Sequence, residues 1–382
     1  MNIVDLFSGA GGLTFGFYYK NINNKFVKNE DNKFIFANEF DSNASKAFEL
    51  NFPDINMICK DIKQMTTNEI LSLKGSSNVD VIIGGPPCQS YSYVGKRIFD
   101  DKAKLYEEYL RFLSIIQPKM FVFENVKGIL SMENDEGILV MDEIANKFSE
   151  IENGIGYNIQ WKVLNAVDFG VPQSRERVFI IGIRKDLNLT FTFPKENIKK
   201  VTLKNAISDL PKIKVGECPS HYRVGRINAY QKLMRQGVTK LTYHFTTKHS
   251  LKLETVMKWV KQGEGKDDFN HLVDQGIISE EFRLTSGYSN TYGRLVANEP
   301  CTTITNNFTS PSCLRCIHYE QNRTLSLREG ARIQSFPDFF SFFGTPTNIK
   351  KQIGNAVPPL MALEICKQIQ LALMGDEKNG SK

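Results

Sequence analysis

The sequence lacks the features that would place it in a membrane or in an oxidising compartment. No apolar run approaches the roughly 20 residues that span a bilayer. The opening Met1-Asn-Ile-Val-Asp5 has neither the basic nor the apolar region of a secretory signal. Seven cysteines lie scattered without regular spacing, and an odd count of that kind argues for reduced thiols, not a disulfide framework. The expected compartment is therefore the cytoplasm. Tryptophan is scarce, and neither Trp161 nor Trp259 carries an assignable role. There is no internal repeat and no low-complexity tract. What remains is ordinary: 382 residues, 41% hydrophobic and 24% charged, room for two or three domains of a globular enzyme.

Charge is unevenly spread. Residues 199–344 hold 21 Lys/Arg against 13 Asp/Glu, so the remainder of a chain with net charge +6 is slightly acidic. The densest part, 205–252, has nine basic and two acidic residues, interleaved with Tyr222, Tyr230, Tyr243, His244 and Phe245. A solvated surface explains most such stretches. A module facing a polyanion would show the same pattern.

The first half alternates short β-rich runs with helical patterns, as βαβ units of a parallel sheet do. The run Asn2–Phe7 ends in Ser-Gly-Ala-Gly-Gly and precedes a helical stretch, Leu13–Tyr19. Lys33–Ala37 predicts a second strand closing on Asn38-Glu39, and Val79–Ile83 a buried strand entering Gly84-Gly-Pro-Pro-Cys88. Leu105–Ile116 has helical spacing, Lys119–Phe123 predicts a strand ending at Glu124, and Ile159–Val167 with Val178–Ile183 a further pair. From 199 to 344 the sequence is punctuated and weakly periodic. Ile353 to Leu373 returns to an amphipathic helix with Pro358-Pro359 in its first turn. The polar tail after Gly375 is expected to be disordered.

Chemistry concentrates at the predicted strand ends. Asp5-Leu-Phe-Ser-Gly-Ala-Gly-Gly12 puts glycines where a strand turns into a helix, so a ligand can approach the backbone closely. Thr14 stands at the third glycine position of the dinucleotide fingerprint, which disfavours that reading. Glu39 is placed to bind a ribose hydroxyl and Asp61 to face the same crevice, although a tight structural turn would explain the glycines alone. Two prolines stiffen the turn before Cys88, at the edge where open α/β sheets hold ligands, and make it a candidate nucleophile. Its plainer alternative is a small core residue. Glu124 ends a strand at the same edge, where partial burial would raise its pKa and suit it to proton donation. Gln173-Ser-Arg-Glu-Arg177 offers two arginines at spacing two, which share a face if the strand has begun. They suit a carbonyl oxygen or phosphate, or else surface salt bridges.

Together these blocks resemble the bacterial DNA cytosine-5 methyltransferases of restriction–modification systems. The resemblance rests on Asp5-Leu-Phe-Ser-Gly-Ala-Gly-Gly, Gly-Pro-Pro-Cys88-Gln-Ser, Glu124-Asn-Val and Gln173-Ser-Arg-Glu-Arg. It continues through Arg328-Glu-Gly-Ala-Arg-Ile-Gln-Ser-Phe-Pro-Asp338 and Gln352-Ile-Gly-Asn-Ala-Val-Pro-Pro359, in the family's order across nearly the whole chain. It implies an α/β fold: a Rossmann-like, S-adenosylmethionine-dependent methyltransferase domain with a mostly parallel sheet and helices on both faces. That domain would comprise residues 1–198 with 345–382. A smaller, irregular target-recognition domain would comprise 199–344.

The resemblance also assigns roles. Cys88 would attack carbon 6 of cytosine, Glu124 would protonate ring nitrogen 3, and Arg177 with Arg175 would hold the base. Phe7, Gly9, Gly11, Glu39, Phe40, Asp61, Ile62, Pro87, Leu105, Asn355 and Val357 would line the cofactor pocket, with S-adenosylhomocysteine as product. Double-stranded DNA is the implied partner, its cytosine flipped out at a cost of roughly a few kcal/mol. The stretch Ser90 to Lys104 would close over it, so Gln89, Ser90, Lys96 and Arg97 become DNA contacts. Arg294, Thr303, Asn306, Asn307 and Arg315 are the candidates in the recognition region, since arginine suits guanine and asparagine suits adenine. A monomer would suffice. A cognate restriction endonuclease would act on the same site without direct contact, and no membrane is involved.

Some residues invite less. Cys313-Leu-Arg-Cys316, with His318 and Cys301, offers half a zinc site without a second close ligand pair, and no step needs a metal. Phe336–Phe343 could stack on bases but is expected to be the core of the smaller domain. Three rival functions stand beside the first. A transfer-RNA cytosine-5 methyltransferase shares the Pro-Pro-Cys-Gln chemistry, and a catalytically inactive DNA-binding regulator would share the fold. A dinucleotide-dependent oxidoreductase is disfavoured by the glycine pattern.

Overall fold

The computed structural model describes residues 1–87, 104–151, 154–196, 200–223, 225 and 227–379, with side chains to residue 375. Seven strands of the described chain form one sheet: β1 (Asn2–Leu6), β2 (Lys33–Glu39), β3 (Met57–Cys59), β4 (Val81–Gly84), β5 (Met120–Asn125), β6 (Tyr157–Asn165) and β7 (Glu176–Arg184). Their order is β3-β2-β1-β4-β5-β7-β6. The first five run parallel, and β7 is inserted antiparallel between β5 and β6.

Apolar residues on both faces make the central strands. Val81 and Ile83 enter one core, Ile82 the other, and Met120 and Val122 alternate likewise with Phe121 and Phe123. Helices α1 (Gly12–Tyr18) and α2 (Ser42–Asn51) pack on the first face; α3 (Thr67–Lys74), α4 (Leu105–Ile116) and α5 (Val140–Ser149) pack on the second. In α4 the buried Tyr106, Tyr109, Leu113 and Ile116 recur at helical spacing. Tyr109 then donates its hydroxyl to the carbonyls of Ile82 and Val122, each at 3.0 Å, bridging β4 and β5.

The chain beyond Arg184 is irregular. It carries α6 (Leu203–Ile207), α7 (Ala229–Met234), α8 (Leu251–Trp259), α9 (Lys266–Asp274) and α10 (Leu327–Ile333). The expected C-terminal helix is two helices, α11 (Pro346–Asn355) and α12 (Pro359–Asn379), broken at Ala356. Pro359 starts the second helix, where a missing N–H is harmless, and α12 runs past the point at which disorder was expected. It packs against α1, so the end of the chain lies beside its beginning.

Hydrophobic packing does not follow the division into two domains. Phe336, Phe340 and Phe342 belong to the same cluster as Phe15 and Phe52 of the N-terminal segment, with Phe52 and Phe340 ring centroids 6.1 Å apart. The phenylalanine run is therefore a seam between the two regions. A separate small core does exist, formed by Val256, Val260, Phe269, Val273, Ile278, Leu284 and Tyr292 around α8 and α9. No helix among the described residues is long and apolar enough to cross a membrane.

Candidate active site

The carboxyl ends of β1 to β5 share one edge of the sheet, and antiparallel β7 begins there. Glu124 lies on the face of β5 shared by Met120 and Val122; Arg177 lies on the face of β7 shared by Phe179 and Ile181. Phe179 is the register partner of Glu124, which makes Arg177 its diagonal neighbour. Arg177 Nε stands 2.9 Å from Glu124 Oε1, with both side chains largely covered. Burial pushes the Glu124 carboxyl above its ordinary range, and the charges of Arg177 and Arg175 pull against that rise.

The turn after β4 presses on this pair. A Cβ on Gly85 would stand 2.7 Å from Glu124 Oε2, so a glycine is what lets Gly84-Gly85-Pro86-Pro87 pass the carboxyl. That turn leads into Cys88. Cys88, Gln89, Ser90, Lys96 and Arg97 lie outside the described residues.

Arg175 is placed differently from Arg177. Its side chain is 1% exposed, and it donates to the carbonyls of Ile304 (2.7 Å) and Gly354 (2.9 Å). Strand β7 starts only at Glu176, so the shared face expected from spacing two does not arise. Beside it, Gln173 accepts from Ile304 N at 2.6 Å and donates to Gln334, which in turn donates to the carbonyls of Ile353 (2.8 Å) and Ala356 (3.1 Å). This buried polar knot joins the start of β7 to residues 301–306 and to the α11–α12 break.

The glycine turn after β1 sits where strand order reverses, between β2 and β4. Phe7, Gly9 and Gly11 all have positive φ (56°, 56° and 96°), and a Cβ on Gly9 would meet nothing within 4 Å. Gly9 N donates to Glu39 Oε2 at 2.8 Å, and Asp41 N to Glu39 Oε1 at 2.8 Å. Burial raises the Glu39 pKa against those two bonds. Phe40, next to it, is 73% exposed, an unusual position for an aromatic ring. Asp61 caps a short turn by accepting from Lys63 N (3.0 Å), whereas the side chain of Ile62 packs inward with Met65 and Ile70. Val357 passes over the turn, its carbonyl 2.5 Å from where a Gly12 Cβ would be, and Asn355 beside it is exposed. Pro87 and Leu105 are half-buried. An open glycine cradle, a carboxylate at the second strand and an exposed ring fit a nucleoside ligand.

The recognition candidates separate sharply. Arg294 is not placed to reach a base. It is 7% exposed and donates to the carbonyls of Val260 (2.7 Å), His318 (2.7 Å), Gln321 (3.0 Å) and Met257, and to Asn322 Oδ1 (2.8 Å). Thr303 donates its hydroxyl to Ser174 O at 2.7 Å. Asn306 and Arg315 are half-buried and Asn307 is exposed. The aromatics interleaved in 205–252 also point inward. Tyr222 donates to Asp338 (2.5 Å), Tyr230 to the Arg332 carbonyl (2.5 Å) and Tyr243 to the Phe342 carbonyl (2.8 Å). Lys214, Lys232, Lys240 and Lys248 of that stretch are exposed. His318 Nδ1 accepts from the backbone of Glu320 (3.0 Å) and Gln321 (3.1 Å), and no group of three potential metal ligands occurs among the described residues.

A mostly parallel sheet with an antiparallel insertion, a glycine turn and an acid at the switch point define a Rossmann-like, S-adenosylmethionine-dependent methyltransferase. The chain belongs to the C-5 cytosine-specific DNA methylase family, which it matches over residues 1–371. It is 38% identical to the Type II methyltransferase M.DdeI of Desulfomicrobium norvegicum, covering 97% of this chain and 88% of that one. It is 34% identical to the Type II methyltransferase M.FnuDI of Fusobacterium nucleatum, covering 99% and 96%. Among solved structures it is similar to a DNA modification methyltransferase encoded within an E. coli prophage, with 27% identity, a TM-score of 0.73 and coverage of 98% and 99%.

Proposed function

We propose that this chain methylates carbon 5 of a cytosine flipped out of one short DNA sequence, with Cys88, Glu124 and Arg177 as the groups that touch the base. The observation that carries the assignment is the Glu124–Arg177 pair, held against the glycine-proline turn that precedes Cys88 in the sequence. Cytosine carbon 5 becomes nucleophilic once a nucleophile adds to carbon 6, and the Cys88 thiolate makes that bond. A buried carboxyl with a raised pKa retains a proton more readily, so Glu124 can supply it to ring nitrogen 3. Arg177 orients Glu124 and faces the negative charge that develops at the base carbonyl. S-adenosylmethionine supplies the electrophilic methyl group. Loss of the carbon 5 proton then expels the Cys88 thiolate and restores the aromatic ring. Arg175 acts one step removed, by holding Ile304 and Gly354 beside the start of β7.

Gly9, Gly11, Glu39, Phe40, Asp61, Asn355 and Val357 would hold the cofactor, whose demethylated product is S-adenosylhomocysteine. The chemistry requires no metal. Residues 199–344 would read the DNA and 1–198 with 345–382 would carry out catalysis, in a monomer. Like the Type II methyltransferases it is similar to, the chain would protect host DNA in the cytoplasm and on the nucleoid, alongside a nuclease that cuts the same sequence.

The test is base-resolution cytosine methylation of DNA from a methylation-free host that expresses the protein. One short methylated context is expected, absent with Cys88→Ala. Unmodified DNA from well-expressed protein would overturn the assignment and make transfer RNA the next substrate to assay.

A further inference from the structure

Among the described residues, the arginines of the recognition region are mostly committed to the protein itself. Arg294 holds backbone carbonyls, Arg323 pairs with Glu329 (2.6 Å) and Arg332 with Asp338 (2.6 Å) and Asp209 (3.0 Å). Arg328 donates to Thr242 Oγ1 (2.8 Å), Arg283 pairs with Asp274 (2.7 Å), and Arg235 lies over the Tyr222 ring at 3.9 Å. Arg223 is exposed, near Glu320. Arg315 differs from all of these. It is half-buried, yet no carboxylate or carbonyl among the described residues accepts from its guanidinium.

Its stem is nevertheless held. A Cβ on Gly293 would stand 2.8 Å from Arg315 Cγ, and one on Gly263 would stand 3.9 Å from its Nη1. Two glycines thus form the floor on which the side chain lies. Gly263 has φ +88°, a conformation that other residues rarely adopt. The surrounding backbone is fixed by the small α8–α9 core: Tyr292 N donates to Pro311 O (2.6 Å) and Ile317 N to Gly293 O (3.1 Å). On its other side the Arg315 carbonyl accepts from Thr302 Oγ1 (3.4 Å), and the adjoining Thr303 bonds to Ser174, three residues before Arg177. Arg315 therefore stands on a wall continuous with the catalytic edge.

We infer that Arg315 reads a guanine in the target sequence, donating its fork to guanine O6 and N7. This rests on the DNA-methylation reading above and adds to it a residue, a base and an edge of that base. A guanidinium on a fixed stem, with its donors unassigned, is organised in advance for a planar pair of acceptors. Contact with phosphates is better served by the long exposed lysines of 205–252, which need no such seat.

The test uses the whole protein and its own target duplex, identified from the methylated context. Each guanine is replaced in turn by 7-deazaguanine, which lacks the N7 acceptor, and kcat/KM is measured for the wild type and for Arg315→Met. In the wild type one position is expected to lose activity by roughly ten- to a hundredfold. In Arg315→Met, which keeps an unbranched stem but has no donor, that extra loss vanishes, and other bases become acceptable at the same position. Cofactor affinity stays unchanged. The inference is overturned if no guanine shows the effect in the wild type, if the loss persists in the variant, or if Arg315→Met weakens all duplexes equally with a shallower salt dependence. The last outcome would mark a phosphate contact. If the unaltered protein methylates no DNA, the underlying reading falls first, and that is visible before any base is replaced. The substitution in DNA needs no variant to fold.

Discussion

The catalytic edge and the recognition region use the same side chain for opposite purposes. At the edge, strands satisfy most of one another's backbone groups, so Arg177 gives one donor to the Glu176 carbonyl (2.7 Å) and turns its Nε to a carboxylate. In 199–344 there are few ladders, and carbonyls of irregular backbone need donors. Arg294 answers four of them, and Arg328 and Arg332, each 0% exposed, bind Thr242, Ala206 and two aspartates. A high arginine content here reflects the scarcity of sheet as much as the presence of DNA.

Arg332 is where the two uses of arginine differ most in their consequences. Replacing it by methionine leaves buried Asp338 with the Tyr222 hydroxyl (2.5 Å) and a longer contact to Arg328 (3.5 Å), and buried Asp209 with Arg235 at 3.6 Å. The expected loss in urea unfolding is about 3–5 kcal/mol. An unchanged midpoint would mean that the pairs are not what holds this region together. Arg177→Ala should behave in the opposite way. One donor to a developing charge is removed, so kcat should fall by about 10²–10³ while the unfolding midpoint stays close to the wild type. If Arg177→Ala unfolded the protein as readily as Arg332→Met, the contrast between the two arginines would be lost.

Much of the catalytic half was legible because buried parallel strands leave unbroken apolar runs between turn signals. The helix Leu105–Ile116 lies where its spacing predicts, and β4 and β5 fall within two residues of Val79–Ile83 and Lys119–Phe123. Local patterns do not contain strand order, so the antiparallel insertion of β7 was not foreseen, and only the family resemblance linked Arg177 to Glu124. Arg294 was misread because an arginine that donates to carbonyls and one that reads bases look alike without the backbone around them. The α8–α9 core did leave a signal: Val256 and Val260, then Phe269 and Val273, repeat at four residues. The basic, punctuated composition around them obscured it.

Aromatic rings divide between the two regions in the same way. In the recognition region Tyr230 is buried, and its hydroxyl is bonded to the Arg332 carbonyl. At the cofactor crevice Phe40 lies 73% exposed, one residue from the Glu39 carboxylate. A ring left in water contributes nothing by burial within the protein and offers its face to a ligand base. Phe40→Ala should therefore leave unfolding of the ligand-free protein unchanged, while calorimetric affinity for S-adenosylhomocysteine falls by about tenfold, the lower part of the range for stacking on a base. A loss of stability without a loss of affinity would place Phe40 among the structural aromatics. The glycine turn and Glu39 would then have to bind the nucleoside without a covering ring.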